Sequence, residues 1–319
     1  MNNELNTEKI PLIVVCGPTA SGKTSLGIAI AKHFGGEIIS ADSMQIYKGM
    51  DIATAKPTKD EQQQIPHHLI DYVEPTTAYS VADYVKTAHQ KIKEVYSKGK
   101  VPVLVGGTGL YIDSLVNNVE FTEADVDSEL RENLYNRLQT EGADVLLNEL
   151  AEFDEESAQR IGTSNHRRLI RAIEIYLTTG KTMTQHIRES KLVPSPYKAV
   201  YIALSCKDRQ KLYDRINKRV DLMVEAGLIQ EAEEFRKQEY SSTAVKAIGY
   251  KELEPFFTGD TTLEQALENL KRETRRYAKR QLTWFRRNEN IKWLLTDELT
   301  TEEAINKAID TINQSNILK

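Results

Sequence analysis

Cysteine is scarce in this chain. Cys16 and Cys206 are the only two in 319 residues, and they lie far apart in sequence. That excludes a disulfide framework and a thiolate zinc cluster, and fits a reducing cytoplasm. No run approaches the ~18 uncharged apolar residues that a membrane helix needs, so no membrane partner is expected. The first ten residues, MNNELNTEKI, lack the apolar core of a secretion signal. Internal repeats and low-complexity tracts are missing too. What remains is 40% hydrophobic and 28% charged residues, a globular composition with enough apolar material for one large domain or two ordinary ones.

The net charge of −5 argues weakly against a nucleic-acid partner, but the average hides a segregation. Between Glu120 and Arg160, thirteen Asp/Glu face three Arg and no Lys, a net of −10. Between Lys271 and Lys292, nine Lys/Arg face Glu273 and Glu289, a net of +7. A polyanion responds to the local field rather than to the sum.

Ile10–Gly17, IPLIVVCG, reads as a strand buried on both faces of a parallel sheet. A Gly-rich turn and a helix over Thr24–Phe34 follow, with Leu26, Ile30 and Phe34 on one face. Glu37–Ala41, Val101–Val105 and Ala199–Ser205 read as further strands, and Asp83–Lys98 as a helix ending at Gly99. The alternation predicts an α/β fold with a parallel sheet flanked by helices. Between the third and fourth of these strands the sequence looks helical, over Asp127–Gln139, Asp144–Leu150 and Asn165–Leu177. This predicts an all-helical insertion, residues 121–198, in a catalytic core made of 1–120 and 199–319. After Lys207 helices return, with a short strand at Ile291–Leu295.

Gly17-Pro18-Thr19-Ala20-Ser21-Gly22-Lys23-Thr24 fits G-x-x-x-x-G-K-[ST], with a strand before it and a helix after it. This is the phosphate loop (P-loop) of nucleotide- and ATP-binding proteins. Its backbone amides and helix N-terminus cradle phosphate oxygens, Lys23 adds a full charge, and the Thr24 hydroxyl suits Mg²⁺. The motif does not say which phosphate compound binds. A nucleotide kinase or ATPase normally closes a second apolar strand with an acidic residue. Here VPVLV runs into Gly-Gly-Thr, and the carboxylate comes earlier, as Asp42 at the tip of the second strand. Strand tips border the ligand crevice in such sheets, so Asp42 is either a base near the phosphate loop or a turn aspartate.

Eight stretches together resemble the tRNA dimethylallyltransferase (isopentenyltransferase) family. They are GPTASGKT (17–24), ADSMQIY (41–47), IPHHLID (65–71), YSVADY (79–84), GGTGLY (106–111), HRRLIRAIE (166–174), AIGYKE (247–252) and KRQLTWFRR (279–287). The eukaryotic zinc finger is missing, which points to the bacterial type. The resemblance implies a P-loop NTPase-like core and a dimethylallyl diphosphate donor. It also implies Mg²⁺ and, as acceptor, the exocyclic amine of the adenine just 3′ of the anticodon in tRNA. It makes Asp42 the general base and Thr108 its assistant at the reacting centre. Residues Gly17 to Thr24 with Arg219 hold the diphosphate, and Thr24 the metal. RNA contacts are implied for Asp42, Ser43, Met44, Gln45, Thr108, Arg131, Arg167, Arg168, Leu169, Ile170 and Arg171. Lys246, Gly249, Tyr250 and Lys251 complete that set, and the basic helix face described next adds Arg275, Arg276, Lys279 and Arg280. A cytoplasmic monomer is expected.

On a helix from Leu267 to Arg287, the side bearing Leu270, Thr274, Tyr277, Gln281, Trp284 and Phe285 lies opposite six cations. These are Lys271, Arg272, Arg275, Arg276, Lys279 and Arg280, with Glu273 as the only acid nearby. Such a face suits a phosphate backbone. A stacked adenine must be flipped out to react, and Met44, Gln45 and Tyr111 are candidates to receive it. His67 and His68 are expected to be structural rather than ligands. The competing readings are an adenylate isopentenyltransferase acting on free nucleotides, an ATP-dependent nucleotide kinase, and a non-catalytic RNA-binding protein.

Overall fold

Leu12, Ile13, Val14, Val15 and Cys16 are all 0% exposed, as a continuous apolar run in a doubly covered strand requires. They belong to β1 (Ile10–Cys16) in a computed structural model that describes residues 9–119, 121, 128–190 and 192–319. The chain continues through α1 (Lys23–Phe34), β2 (Gly36–Ala41), α2 (Lys59–Gln64), β3 (His67–His68), α3 (Val81–Ser97), β4 (Val101–Gly106) and α4 (Gly109–Val116). Four helices follow: α5 (Ser128–Thr140), α6 (Ala143–Ile161), α7 (His166–Thr179) and α8 (Met183–Ser190). The chain ends with β5 (Tyr197–Ser205), α9 (Arg209–Glu225), α10 (Leu228–Phe235), α11 (Glu254–Phe257), α12 (Leu263–Phe285), β6 (Ile291–Leu295) and α13 (Thr301–Ser315).

The six strands form one sheet in the order β3-β2-β4-β1-β5-β6, every pairing parallel. Val14 pairs with Leu104 on one side and Tyr201 on the other. Ile13, Val15, Val103, Val105, Ile202 and Leu204 pack with Leu26 and Ile30 of α1 into one core. The α/β fold with a helix-flanked parallel sheet is therefore present. The carboxyl ends of β1, β2 and β4 carry the phosphate loop, Asp42 and Gly107–Thr108, which puts three motifs of the sequence at one edge of the sheet.

The chain divides into two compact units, residues 1–116 with 195–319, and residues 117–194. The insertion begins at 117 rather than 121 and ends at 194 rather than 198. Its own core is built from Leu134, Leu146, Leu150, Leu169, Ile170 and Ile173. The helix expected to stop at Leu150 runs on to Ile161, kinked at Asp154 (φ −145°, ψ 70°). Asp154 accepts the N–H of Ser157 at 3.1 Å and of Thr184 at 3.0 Å, so one carboxylate restarts α6 and pins α8, which the sequence reading missed. Glu120 and residues 122–127 of the acidic stretch lie outside the described residues, as does Asp127, the expected first residue of the first insertion helix.

Helix starts follow their caps. Ser80 and Asp83 form a reciprocal capping box, so α3 begins at Val81. Thr262 and Gln265 form another, which starts α12 at Leu263, four residues before the expected Leu267.

Candidate active site

The N-terminus of α1 is left open. Its N-cap is Gly22, and no side chain caps it. The first amides of a helix have no partner within the helix, so this one offers donors and partial positive charge to an anion. Lys23 folds back on its own loop, and its Nζ donates to the Pro18 carbonyl at 2.7 Å. Burial, and then the guanidinium of Arg219, push the Lys23 ammonium down to about 8, while Asp42 pulls the other way. Arg219, on α9, is itself pushed down by burial and pulled up by Asp42 and Glu61. Lys23, Arg219 and Asp42 thus share one electrostatic neighbourhood. Among the described residues, neither Lys23 nor Arg219 forms an ion pair. Two half-buried cations with no ion-pair partner, near an uncapped helix start, make a site suited to an anion. Thr24 is half-buried in the first turn of the same helix. Cys16, by contrast, is inert: burial pushes its thiol up to about 12.

Asp42 closes β2 in a tight turn. Its Oδ1 accepts the N–H of Met44 at 2.9 Å and of Gln45 at 3.3 Å. It is therefore a turn aspartate, and it also stands within the field of both cations. Thr108 sits beside that turn, with its N–H donating to the Ala41 carbonyl at 3.1 Å and its Oγ1 accepting the Ser43 N–H at 3.1 Å. The two expected catalytic residues are brought together.

Helix α12 supplies contacts that the sequence reading left without a role. Gln281, 6% exposed, accepts the Thr19 N–H at 2.9 Å and donates to the Gly107 carbonyl at 2.8 Å. Trp284 Nε1 donates to Asp113 Oδ2 at 2.6 Å. A Cβ on Gly107 would stand 2.3 Å from Gln281 Nε2, and one on Gly109 would stand 2.3 Å from Trp284 Cδ1. Gly107 and Gly109 are thus what lets α12 come against the loop. Burial pushes the Tyr277 phenol well up, and Asp42 adds to the shift; contacts with Thr108 and Gln281 oppose it. The signal was legible as spacing, since 277, 281 and 284 form one helical stripe.

Several expected RNA contacts have other employment. Gln45 Nε2 donates to the carbonyls of Thr54 (3.2 Å) and Ala55 (3.0 Å), so its amide holds the 54–55 loop in this structure. Tyr111 is 4% exposed and stacked on Tyr84 at 4.1 Å; it offers no open face. Met44 is partly buried against the cluster of Tyr47, Val73 and Tyr250. Gly249 packs on Ala53, where a Cβ would come within 2.7 Å. Tyr250 is 4% exposed and donates its hydroxyl to Glu231 at 2.9 Å. The same Glu231 carboxylate accepts the N–H groups of Asp51 (3.0 Å), Ile52 (2.7 Å) and Ala53 (2.9 Å). The middle of AIGYKE is a structural clamp; only Lys251 of that motif is exposed, as is Lys246 just before it.

The basic face is also thinner than its sequence suggests. Lys271 pairs with Asp221 (2.6 Å), Arg275 with Glu268 (3.0 Å) and Arg276 with Glu273 (2.7 Å). Glu273 is therefore not the only acid nearby. Lys279 and Arg280 are exposed, and neither has an ion pair among the described residues. Within the insertion, Leu169 and Ile170 are 0% and 2% exposed, packed in its core by the same periodicity that turns Arg167 and Arg168 outward; their side chains have no surface for RNA. Arg131 and Arg171 each reach buried Glu174 at 2.8 Å. Burial would raise that carboxyl, but the two guanidiniums hold it below its usual range. His67 Nδ1 contacts the Ile65 carbonyl at 2.8 Å and His68 contacts Glu37 at 2.7 Å, both structural contacts. Among the described residues, no group of three His, Cys, Asp or Glu could hold a metal ion.

The IPP transferase family model matches residues 45–288. The chain is 49% identical over 298 residues to the tRNA dimethylallyltransferase of Acetivibrio thermocellus, covering 93% of this chain and 95% of that protein. It is 49% identical over 290 residues to that of Bacillus subtilis, covering 91% and 92%. Among solved structures, a full-length tRNA isopentenylpyrophosphate transferase from Bacillus halodurans matches with a TM-score of 0.72 at 41% identity, covering 97% of this chain and 99% of that one. A eukaryotic dimethylallyltransferase acting on tRNA matches with a TM-score of 0.81 at 29% identity, covering 94% and 78%. With the family model spanning most of its length and such relatives covering nearly all of it, the chain belongs to the IPP transferase family.

Proposed function

We propose that this enzyme transfers a dimethylallyl group from dimethylallyl diphosphate to the N6 amine of the adenine just 3′ of the anticodon in tRNA. The product is N6-(dimethylallyl)adenosine. The observation that carries the reading is the pair of half-buried, unpaired cations, Lys23 and Arg219, in one electrostatic neighbourhood with Asp42 and beside the uncapped start of α1. A leaving diphosphate needs the cations and the helix start, and a weakly nucleophilic amine needs the carboxylate.

In the reaction, the amine nitrogen forms a bond to C1 of the prenyl group as the C1–O bond breaks. The diphosphate leaves with the electron pair, held by the loop amides, Lys23 and Arg219. Asp42 takes the amine proton. Thr108 keeps the Asp42 turn in place through the Ser43 N–H. Thr24 is the residue suited to Mg²⁺, an ion that commonly keeps its waters and is held mainly through substrate phosphates. The metal, when bound, offsets charge on the leaving diphosphate. Lys279 and Arg280 on the core, and Arg167 and Arg168 on the insertion, are the cations offered to the tRNA backbone. No helix among the described residues is long and apolar enough to cross a membrane, and the family's work on tRNA fits a cytoplasmic site of action.

The test offers the purified protein Mg²⁺ and dimethylallyl diphosphate with an anticodon stem-loop RNA or AMP, and weighs the products. Five-carbon addition to the RNA but not to AMP is expected. Addition to AMP alone would reassign the enzyme to free nucleotides. Addition to neither, with phosphate transfer from ATP, would make it a kinase.

A further inference from the structure

The donor loop and the catalytic turn sit on different strands, β1 for one and β2 with β4 for the other. One side chain bonds to both. Gln281 Oε1 accepts the Thr19 N–H inside the phosphate loop, and Gln281 Nε2 donates to the Gly107 carbonyl next to Thr108. From Gly107 the connection continues through Thr108 Oγ1 to the Ser43 N–H, and Ser43 follows Asp42. Both hydrogen bonds are buried or half-buried, where a lost partner is not replaced by solvent at no cost.

We propose that Gln281 is a positioning residue for prenyl transfer: it sets the spacing between the diphosphate loop and the Asp42–Thr108 turn. The inference rests on the transferase reading of the site. Three observations carry it. The amide is used at both ends, so its rotamer is fixed. Gly107 has no room for a Cβ beside it, so this approach is built into the backbone. Tyr277, one turn earlier on α12, contacts both Thr108 and Gln281, so the same helix face meets both ends of the connection. The Thr19 N–H is committed to Gln281, which leaves the later amides of the loop and the first turn of α1 for the diphosphate. A spacer of this kind acts on the alignment of C1 and the amine, where an error of about an ångström can cost on the order of 100-fold in rate.

The test is Gln281→Met, which keeps length and volume and removes both hydrogen bonds. Steady-state transfer to an anticodon stem-loop, RNA affinity and thermal unfolding are measured beside the wild type. We expect kcat to fall about thirtyfold and the donor KM to rise about tenfold, with RNA Kd within about twofold. Gln281→Glu keeps the acceptor for Thr19, loses the donor to Gly107 and sets a carboxylate beside the phosphate loop. Its kcat is expected to fall as well, and it serves if the Met variant does not fold. A cycle with Thr108→Val completes the test. If Gln281 acts through Thr108, the double variant is little slower than the worse single one. A folded Gln281→Met with unchanged kcat and donor KM would overturn the proposal, whatever its melting temperature, and so would additive losses in the cycle. A wild-type enzyme that adds no five-carbon unit would instead sink the transferase reading.

Discussion

The indole ring of Trp284 occupies the space that a side chain on Gly109 would need. The ring is held there by a 2.6 Å hydrogen bond from Nε1 to Asp113. Gly109→Ala should therefore overpack this contact and destabilise the fold by about 1–3 kcal/mol, with altered Trp fluorescence. Thermal denaturation followed by that fluorescence checks it. An unchanged melting temperature would mean that the ring moves aside at no cost.

Asp42→Asn should keep the turn, because the amide oxygen still accepts the Met44 and Gln45 N–H groups. It cannot take the amine proton. Turnover should drop by about 100-fold or more with RNA affinity nearly intact. Near-normal kcat in this variant would remove Asp42 from the chemistry.

Burial and the neighbouring Arg219 depress Lys23 to about 8, so the charged form that grips a diphosphate is complete below that pH and lost above it. Donor kcat/KM should be level to about pH 8 and then fall by up to roughly tenfold per unit. Stability responds with the opposite sign. Between about 8 and the ordinary lysine value of 10.5, the unfolded chain binds more protons than the folded one, so this group's contribution grows with pH. Parallel pH profiles of rate and melting temperature separate the two. A rate that falls only where the melting temperature falls would assign the loss to unfolding.

The expected phosphate contacts can be sorted by salt dependence. Removing Lys279 and Arg280 together should weaken RNA binding and reduce the slope of log K against log salt by roughly two. Arg275 is tied to Asn217 at 2.6 Å and Glu268 at 3.0 Å, so Arg275→Ala should leave the slope nearly unchanged. Filter binding over a salt series decides it; an equal slope change for Arg275→Ala would show that its ion pair opens to the RNA.

Glu231→Ala would strand three successive backbone N–H groups and the Tyr250 hydroxyl. The cost should be about 1–3 kcal/mol, with faster hydrogen exchange at residues 51–53. Unchanged exchange there would mean that the loop is held from elsewhere.

Local pattern made much of this visible in the sequence. The β1 run, the phosphate loop and the strand-tip position of Asp42 are short-range features, each complete within a dozen residues. Helix α8 and the second half of α6 escaped because both depend on Asp154, whose partner Thr184 lies 30 residues away. Gln281 and Trp284 were on the correct face of their helix, but what they touch lies more than 170 residues earlier. Glu231 carried no signal at all: one acidic residue on an amphipathic helix looks like solvent decoration until the amides of 51–53 are seen around it. The basic face was overcounted for the same reason, since Asp221, a partner of Lys271, comes from another helix.

Helix α12 divides its labour by side. Tyr277, Gln281 and Trp284 face the phosphate loop, Gly107–Thr108 and Asp113, while Lys279, Arg280 and Thr283 between them look outward. The two sets share no positions. Rewriting the outward letters alone would therefore change how the helix meets a polyanion and leave its inward side unchanged.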